Sequence, residues 1–208
     1  MRHQSKQEEF LNALTHGFGA LLGIIGLVFL IIFNNQKTEW SLLSVIIYGF
    51  SVIILFSAST LYHSVRPDFH KHYFRIIDHI SIYLLIAGTY TPVCLITLEQ
   101  SRGWPLFWTV WGIATFGIVL KLFLTGRFEI FSTLLYLVMG WLIVFDFSAL
   151  SDSVNPNAIL LLFGGGLFYT LGIIFYVIEK IPYNHVIWHF FVLGGAICHF
   201  FMIFRYII

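Results

Sequence analysis

The sequence predicts an all-α membrane protein, a bundle of seven transmembrane helices. Only 10% of the 208 residues are charged and 59% are hydrophobic, whereas a soluble domain carries roughly 25% charged residues. The hydrophobic residues form seven runs of about 17 to 23 residues, the length that crosses a bilayer as a helix. Short loops join these runs, so we predict that residues 1–208 form one integral-membrane domain.

The seven runs follow one another in order, and each is predicted to be helical for the same reason. Inside a bilayer every backbone N–H and C=O group needs an internal partner, which a helix supplies. Pro92, within the third run, predicts a kink there because proline has no N–H group to donate. We predict spans at residues 17–33, 41–62, 76–98, 104–121, 130–150, 158–178 and 185–206.

The loop charges predict which end of the bundle faces the cytoplasm, because cytoplasmic loops carry an excess of Lys and Arg. Three such residues, Lys37, Arg102 and Arg205, lie on the side opposite the N-terminus. The other eight lie on the side of the N-terminus: Arg2, Lys6, Arg66, Lys71, Arg75, Lys121, Arg127 and Lys180. The sequence therefore predicts a multi-pass protein of the plasma membrane with a cytoplasmic N-terminus and an extracellular C-terminus.

Polar side chains in or beside the spans gather at the cytoplasmic end of the predicted bundle. Such groups are costly inside a bilayer, so their presence at one depth needs a reason. The loop charges fixed the orientation without using these residues, so their common depth is an independent observation. The residues are Asn12, His16, Ser59, His63, Asp78, His185 and His189.

Three of these residues predict a metal site. His185 and His189 are four apart, which places both imidazoles on one helix face, and His63 would complete a set of three. Three protein ligands with one open position are the arrangement of a catalytic zinc, whose fourth ligand is water, and imidazole ligands favour zinc. Asp78 is then a candidate base for that water, and Ser59 a candidate to orient the water or a substrate carbonyl.

Other interpretations of these side chains stay open at this point. A single membrane histidine can simply hydrogen-bond a neighbouring helix. Asp78 can pair with Arg75, or it can be a fourth metal ligand, which would make the zinc structural. His199 lies ten residues beyond His189, too far along the helix axis for the same metal, and Asp146 either lines a cavity or reaches the outer surface.

Three motifs resemble those of the hemolysin III family, the bacterial branch of the superfamily named for progestin and adipoQ receptors. Glu9, Asn12 and His16 form the first motif, Ser59-x3-His63 followed by Asp78 forms the second, and His185-x3-His189 forms the third. The resemblance extends over almost the whole chain. It implies seven helices with a cytoplasmic N-terminus and zinc bound by histidines corresponding to His63, His185 and His189.

The resemblance also bears on function. It implies ceramidase-like chemistry, because eukaryotic relatives and the distantly similar alkaline ceramidases are linked to ceramide hydrolysis, and bacterial relatives are associated with membrane-lipid homeostasis. We expect a zinc-dependent hydrolase of a lipid amide or ester, or else a non-enzymatic membrane sensor or regulator with a structural zinc. The label hemolysin also suggests cytolysis by a secreted pore former, but seven long apolar spans could not travel through water. Membrane lipids are the expected partners, and no basic patch suggests nucleic acid.

Overall fold

The computed structural model describes residues 4–65 and 69–208, and within these ranges the regular structure is entirely helical. Three short turns of different pitch interrupt or extend the α-helices: π-helical turns at Val93–Thr97 and Ile203–Ile207, and a 3₁₀ turn at Leu142–Asp146. The α-helices are α1 (Lys6–Ile32), α2 (Ser41–Ser64), α3 (Phe69–Pro92), α4 (Gly103–Leu124), α5 (Glu129–Gly140), α6 (Phe147–Ser153), α7 (Pro156–Val177) and α8 (Asn184–Met202).

Seven helical segments of the described chain are long and apolar enough to cross a membrane, which confirms the predicted fold class. The third combines α3 with its π turn, the fifth combines α5, the 3₁₀ turn and α6, and the seventh extends α8. The protein is thus a multi-pass integral membrane protein. The orientation of its termini stays a prediction, and two residues used for it, Arg2 and Arg66, lie outside the described residues.

The first helix begins well before the predicted span at residue 17. Ser5 caps α1 through a capping box, in which its hydroxyl accepts from the Glu8 N–H while the Glu8 carboxylate accepts from the Ser5 N–H at 2.8 Å. This arrangement satisfies backbone donors that the first helical turn leaves free. Asn12 and His16 therefore lie inside the helix, on its buried face. Hydropathy detects only the apolar part of a helix, so it predicts a start near residue 17. The helix extends further toward the N-terminus because protein covers the face that carries Asn12 and His16.

Helix contacts place α1 between α2 and α8, α2 against α3, α3 against α4, and α7 against α8. Small residues bring the first two helices close together. Gly19 lies against the Phe56 ring, and Gly23 lies against Val52 and Ile53. The Gly19–Gly23 pair thus serves packing within the chain, which agrees with the general use of small residues at membrane helix interfaces.

Three spans of the described chain depart from regular α-helix in the half of the bundle away from the N-terminus of α1, the seventh only in its last turn. Pro92 is the last residue of α3, and the π turn begins directly after it, as expected where a proline removes an N–H donor. The fifth span breaks after Gly140 without a proline. There the Tyr90 hydroxyl donates to the Gly140 carbonyl at 3.0 Å and accepts from the Ile143 N–H at 2.9 Å. One side chain of α3 thus satisfies backbone groups on both sides of the break.

Candidate metal centre

Three histidines from two helices meet at the end of the bundle where α1 begins. His63 lies in the last turn of α2, and His185 and His189 lie on one face at the start of α8. The ring centroid of His63 is 5.2 Å from that of His185 and 5.0 Å from that of His189, and the latter two are 4.7 Å apart. One nitrogen from each ring lies within 4.8 Å of the others. The structure thus brings the three predicted ligands together.

The start of α8 is fixed so that its two histidines face the bundle. Tyr183 precedes the helix with a positive φ of 54°, an uncommon conformation for a residue with a side chain. Asn184, the first residue of α8, donates from its side-chain amide to the Phe175 carbonyl at 2.9 Å, which ties the helix to α7. His185 and His189 then follow on adjacent turns of the same face.

A carboxylate orients His63. Its Nδ1 lies 2.6 Å from Glu9 Oε2, and the other oxygen of Glu9 accepts from Lys71 Nζ at 2.6 Å. The Nε2 atom of His63 is buried and has no hydrogen-bond partner among the described residues. A ligand histidine typically donates its second ring N–H to a carboxylate, which fixes the tautomer and strengthens the metal-binding nitrogen. Glu9 occupies that place, so Nε2 is the nitrogen of His63 that remains for a metal.

His189 is oriented by the backbone of α1. Its Nδ1 lies 3.3 Å from the Asn12 carbonyl, which can only accept, so Nδ1 carries the proton and Nε2 has a lone pair. The ring of His16 stacks on the ring of His189 with centroids 3.6 Å apart and planes 12° apart. His16 is buried, and neither of its nitrogens has a hydrogen-bond partner within the described ranges. Residues of α1 therefore orient two of the three imidazoles, although α1 supplies none of the three.

Asp78 and Ser59, the predicted catalytic residues, lie beside the three histidines. Ser59 is buried one turn before His63 on α2, and its hydroxyl interacts with the Asp78 carboxylate. The charge of Asp78 also interacts with His63. Among the described residues, Asp78 does not belong to the set of donors within 4.8 Å of one another. Asp78 is therefore near the site without being one of its closest donors, and the catalytic roles of both residues stay predictions.

The supporting residues Glu9, Asn12 and His16 were singled out in the sequence but given no role there. They occupy one face of α1, at spacings of three and four, which is the spacing of neighbours on a helix. Lys71 was counted only as a loop charge, although it pairs with Glu9. A helix predicted to begin at Ser5, instead of at the first apolar residue, includes Glu9, Asn12 and His16 and places them on one face, near the histidines.

The donor set fits a divalent metal of the zinc type. Neutral imidazole nitrogens are preferred zinc ligands, with bond lengths of about 2.0–2.1 Å. The Nε2 of His63 has no hydrogen-bond partner among the described residues, and in both His63 and His189 the other ring nitrogen, Nδ1, is already engaged. An unpartnered nitrogen buried among apolar helices costs free energy, and coordination to a cation would remove that cost.

Comparison with known proteins assigns the family. The sequence model described as "Haemolysin-III related" matches residues 4–200. The chain belongs to this family. It is 47% identical to the "Hemolysin-3 homolog" of Bacillus subtilis (strain 168) over 201 residues, covering 96% of this chain and 94% of that protein. It is 44% identical to the "Hemolysin-3" of Bacillus cereus over 206 residues, covering 99% and 94%.

More distant similarity reaches animal proteins. The chain is 28% identical over 206 residues to the human "Monocyte to macrophage differentiation factor", covering 96% of this chain and 84% of that protein. The alignment thus extends over nearly the full bundle. The predicted family membership of this haemolysin-III related protein is confirmed.

Proposed function

We propose that this haemolysin-III related protein is a zinc-dependent hydrolase of a lipid amide or ester bond, with ceramidase-like chemistry, in the plasma membrane. One observation carries the proposal: three histidines form the compact donor set, and a carboxylate, Asp78, lies beside that set without joining it. In this proposal a water molecule lies between the cation and the carboxylate. A three-ligand set with an open fourth place is typical of catalytic zinc.

His63, His185 and His189 would hold the cation. Bound zinc supplies Lewis-acid activation of a water molecule, whose pKa falls to about 7. Asp78 accepts a proton from water and later returns it to the leaving group. The Ser59 hydroxyl, next to Asp78, orients that carboxylate or donates to the substrate carbonyl. Glu9 holds His63 in the tautomer that exposes Nε2, and Lys71 holds Glu9 in place.

A cavity inside the bundle supports a lipid substrate. This central cavity has a volume of about 130 Å³ and lies between α3, α5, α7 and α8. Its end nearest the histidines is marked by Ile82, one turn after Asp78, and by Trp188, next to His189. Tyr176 also lines it, and its ring centroid is 6.1 Å from that of His185. Aliphatic and aromatic side chains form most of the wall, which suits a hydrocarbon chain.

A second candidate function is that of a membrane sensor or regulator in which the zinc is structural. The metal would then pin α2 to α8, with α1 held by Glu9 and Asn12. The name of the human relative, a differentiation factor, describes a regulatory effect and not a reaction. The name "Hemolysin-3" of the Bacillus cereus relative describes lysis, which a protein that disturbs membranes when abundant would also produce. Coordination of the zinc by Asp78 itself would favour this second function.

The test uses purified, zinc-loaded protein with ceramides and other lipid amides and esters as substrates. We expect turnover by the wild type, and a loss of at least about 100-fold on Asp78→Asn with zinc content unchanged, since general acid–base catalysis contributes roughly 10²–10⁴-fold. Asp152→Asn is the matched control, because Asp152 is exposed on α6, away from the histidines. No turnover by the wild type, or full activity of Asp78→Asn, rejects the hydrolase and leaves the regulator.

A further inference from the structure

The central cavity has a polar group of its own, far from the histidine set. His199 and Tyr169 both line the cavity, and their rings lie 5.6 Å apart. His199 is ten residues beyond His189 on the same helix, which separates the two by about 15 Å at 1.5 Å per residue. This His199–Tyr169 pair therefore cannot share a ligand atom with the metal centre, although both adjoin the same cavity.

The two side chains offer complementary hydrogen-bonding groups without partners. His199 is nine-tenths buried, and its Nε2 lies 3.2 Å from the Leu162 carbonyl, so Nε2 carries the proton and Nδ1 is an acceptor. Both His199 Nδ1 and the Tyr169 hydroxyl are buried and have no hydrogen-bond partner in the described part of the chain. Unsatisfied polar atoms within a membrane-spanning bundle are costly, so a ligand that satisfies both gains affinity.

Packing between α7 and α8 fixes these two side chains reciprocally. A methyl group at Gly165 would overlap the imidazole of His199, and one at Gly195 would overlap the ring of Tyr169. Gly165 and Tyr169 are one turn apart on α7, as Gly195 and His199 are on α8. Each helix thus carries a glycine that admits the polar ring of the other, so both rings are held rigidly at the cavity wall.

A hydroxyl group matches this pair better than other polar groups do. A hydroxyl can donate to His199 Nδ1 and accept from the Tyr169 hydroxyl at once, whereas a carbonyl can only accept. The rest of the wall near the pair is apolar and includes Leu162, Val192 and Met202. An engineered apolar cavity of roughly this size, about 150 Å³, takes up hydrocarbon groups of the size of benzene. A hydrocarbon chain that carries a hydroxyl group fits both features.

We propose that His199 and Tyr169 bind a hydroxyl group in the middle of a lipid acyl chain that occupies the central cavity. The inference rests on the proposed function in one respect: the carbonyl end of the chain is placed at the metal centre. The pair then selects chains whose hydroxyl lies about 15 Å from that carbonyl. The substrate class is accordingly lipids with mid-chain hydroxylated acyl groups.

The experiment compares two fatty acids that differ by one mid-chain hydroxyl group, ricinoleic acid and oleic acid. Their affinities for the purified full-length protein, zinc-loaded in detergent, are measured by displacement of a fluorescent fatty acid. We expect wild-type protein to bind ricinoleic acid about tenfold more tightly, the effect of two modest hydrogen bonds. Tyr169→Phe keeps the ring against Gly195, and we expect it to reduce the preference to less than about threefold.

Two further variants test whether the preference for ricinoleic acid depends on the His199–Tyr169 pair. Tyr83→Phe is the matched control, because Tyr83 is a buried tyrosine of α3 that does not line the central cavity, and its preference should equal that of the wild type. His199→Phe should abolish the preference, provided its thermal unfolding shows a folded protein.

Equal binding of the two acids by the wild type, or binding of neither, overturns the inference, and equal binding indicates that water satisfies the pair. An unchanged preference in Tyr169→Phe also overturns it. Failure of the proposed function is seen separately: a protein that prefers ricinoleic acid yet hydrolyses no lipid keeps the hydroxyl site and loses the hydrolase.

Discussion

Two groups of the same three residue types lie at the same end of the bundle. In the first, Glu9 contacts His63 Nδ1 at 2.6 Å and Lys71 Nζ at 2.6 Å. In the second, Glu129 contacts Lys121 Nζ at 2.6 Å and lies 3.7 Å from His79 Nδ1. Each group therefore joins a carboxylate, a lysine and a histidine from three different helices.

The surroundings of the two histidines differ. His63 faces two further imidazoles supplied by α8, whereas the described residues place no second histidine with His79 in a comparable donor set. The second group is instead closed by more hydrogen bonds, since Glu129 also accepts from Arg75 at 3.2 Å and from the Gly126 N–H at 2.9 Å. Identical residue types thus support a candidate metal site in one place and form an ion-pair cluster in the other. The difference between them is that α8 packs beside the first group and supplies two further histidines.

Removing the histidine of each group is expected to give the largest difference between them, in zinc content. We expect His63→Ala to bring the zinc content from about one ion per chain to background, because two imidazoles remain where zinc needs at least three protein ligands. His79→Ala, the matched variant, should retain its zinc. Elemental analysis of chelator-free protein measures both. An unchanged zinc content in His63→Ala would remove the distinction between the two groups.

The ion-pair cluster is expected to matter for stability instead. Glu129→Ala would leave the Lys121 ammonium, whose side chain is only 1% exposed, without its carboxylate. Breaking a buried ion pair by removing one partner costs about 3–5 kcal/mol, whereas replacing both partners by apolar groups is often neutral. We therefore expect Glu129→Ala to unfold at a lower temperature than wild type, and the double variant Glu129→Ala with Lys121→Met to recover most of the loss. A double variant as unstable as the single one would contradict this account.

Metal removal distinguishes the two groups by its effect on thermal unfolding. Zinc that binds the folded state alone stabilises it, so stripping zinc from the wild type should lower the unfolding temperature by about 5–10 °C. His63→Ala should show no response to the chelator, because it has no zinc to lose. Glu129→Ala should respond as the wild type does, from a lower starting temperature. A response of His63→Ala equal to that of the wild type would place the metal elsewhere.

The smallest effect is expected when only the charge of each glutamate is removed. Glu9→Gln should weaken zinc binding by about 10–100-fold, the usual effect of losing an outer carboxylate partner of a ligand histidine. Glu129→Gln should leave zinc affinity unchanged, because its carboxylate orients none of the three ligands. Competition with a fluorescent zinc chelator measures both affinities. Equal affinities for Glu9→Gln and wild type would reduce Glu9 to a structural partner of Lys71.

Much of the candidate site could be predicted because its residues violate the apolar pattern. His63, His185 and His189 stand out at the ends of hydrophobic runs, and the four-residue spacing of the last two defines a helix face. Glu9 was not connected to them because the polar start of the chain looks like a tail by hydropathy. Its contact with His63 joins α1 to α2, and no local pattern encodes which side chains of two helices meet.

The break in the fifth span could not be predicted from the sequence, for a different reason. Residues 142–145 are as apolar as any helical run, so the length of the apolar run predicts one continuous helix over 130–150. The break depends on Tyr90, a residue of α3 whose hydroxyl replaces hydrogen bonds that the helix loses. The sequence around the break contains no proline, so the tertiary partner determines the local structure.

That break gives the fifth span a joint partway across the bilayer. Biological membranes differ in hydrocarbon thickness by a few Å, and spans adapt by tilting or bending. The joint separates α5, whose first residue is Glu129, from α6, so the two helices of this span need not share one axis. The three candidate ligand histidines lie on α2 and α8, so a bend at this joint falls outside the helices that carry them.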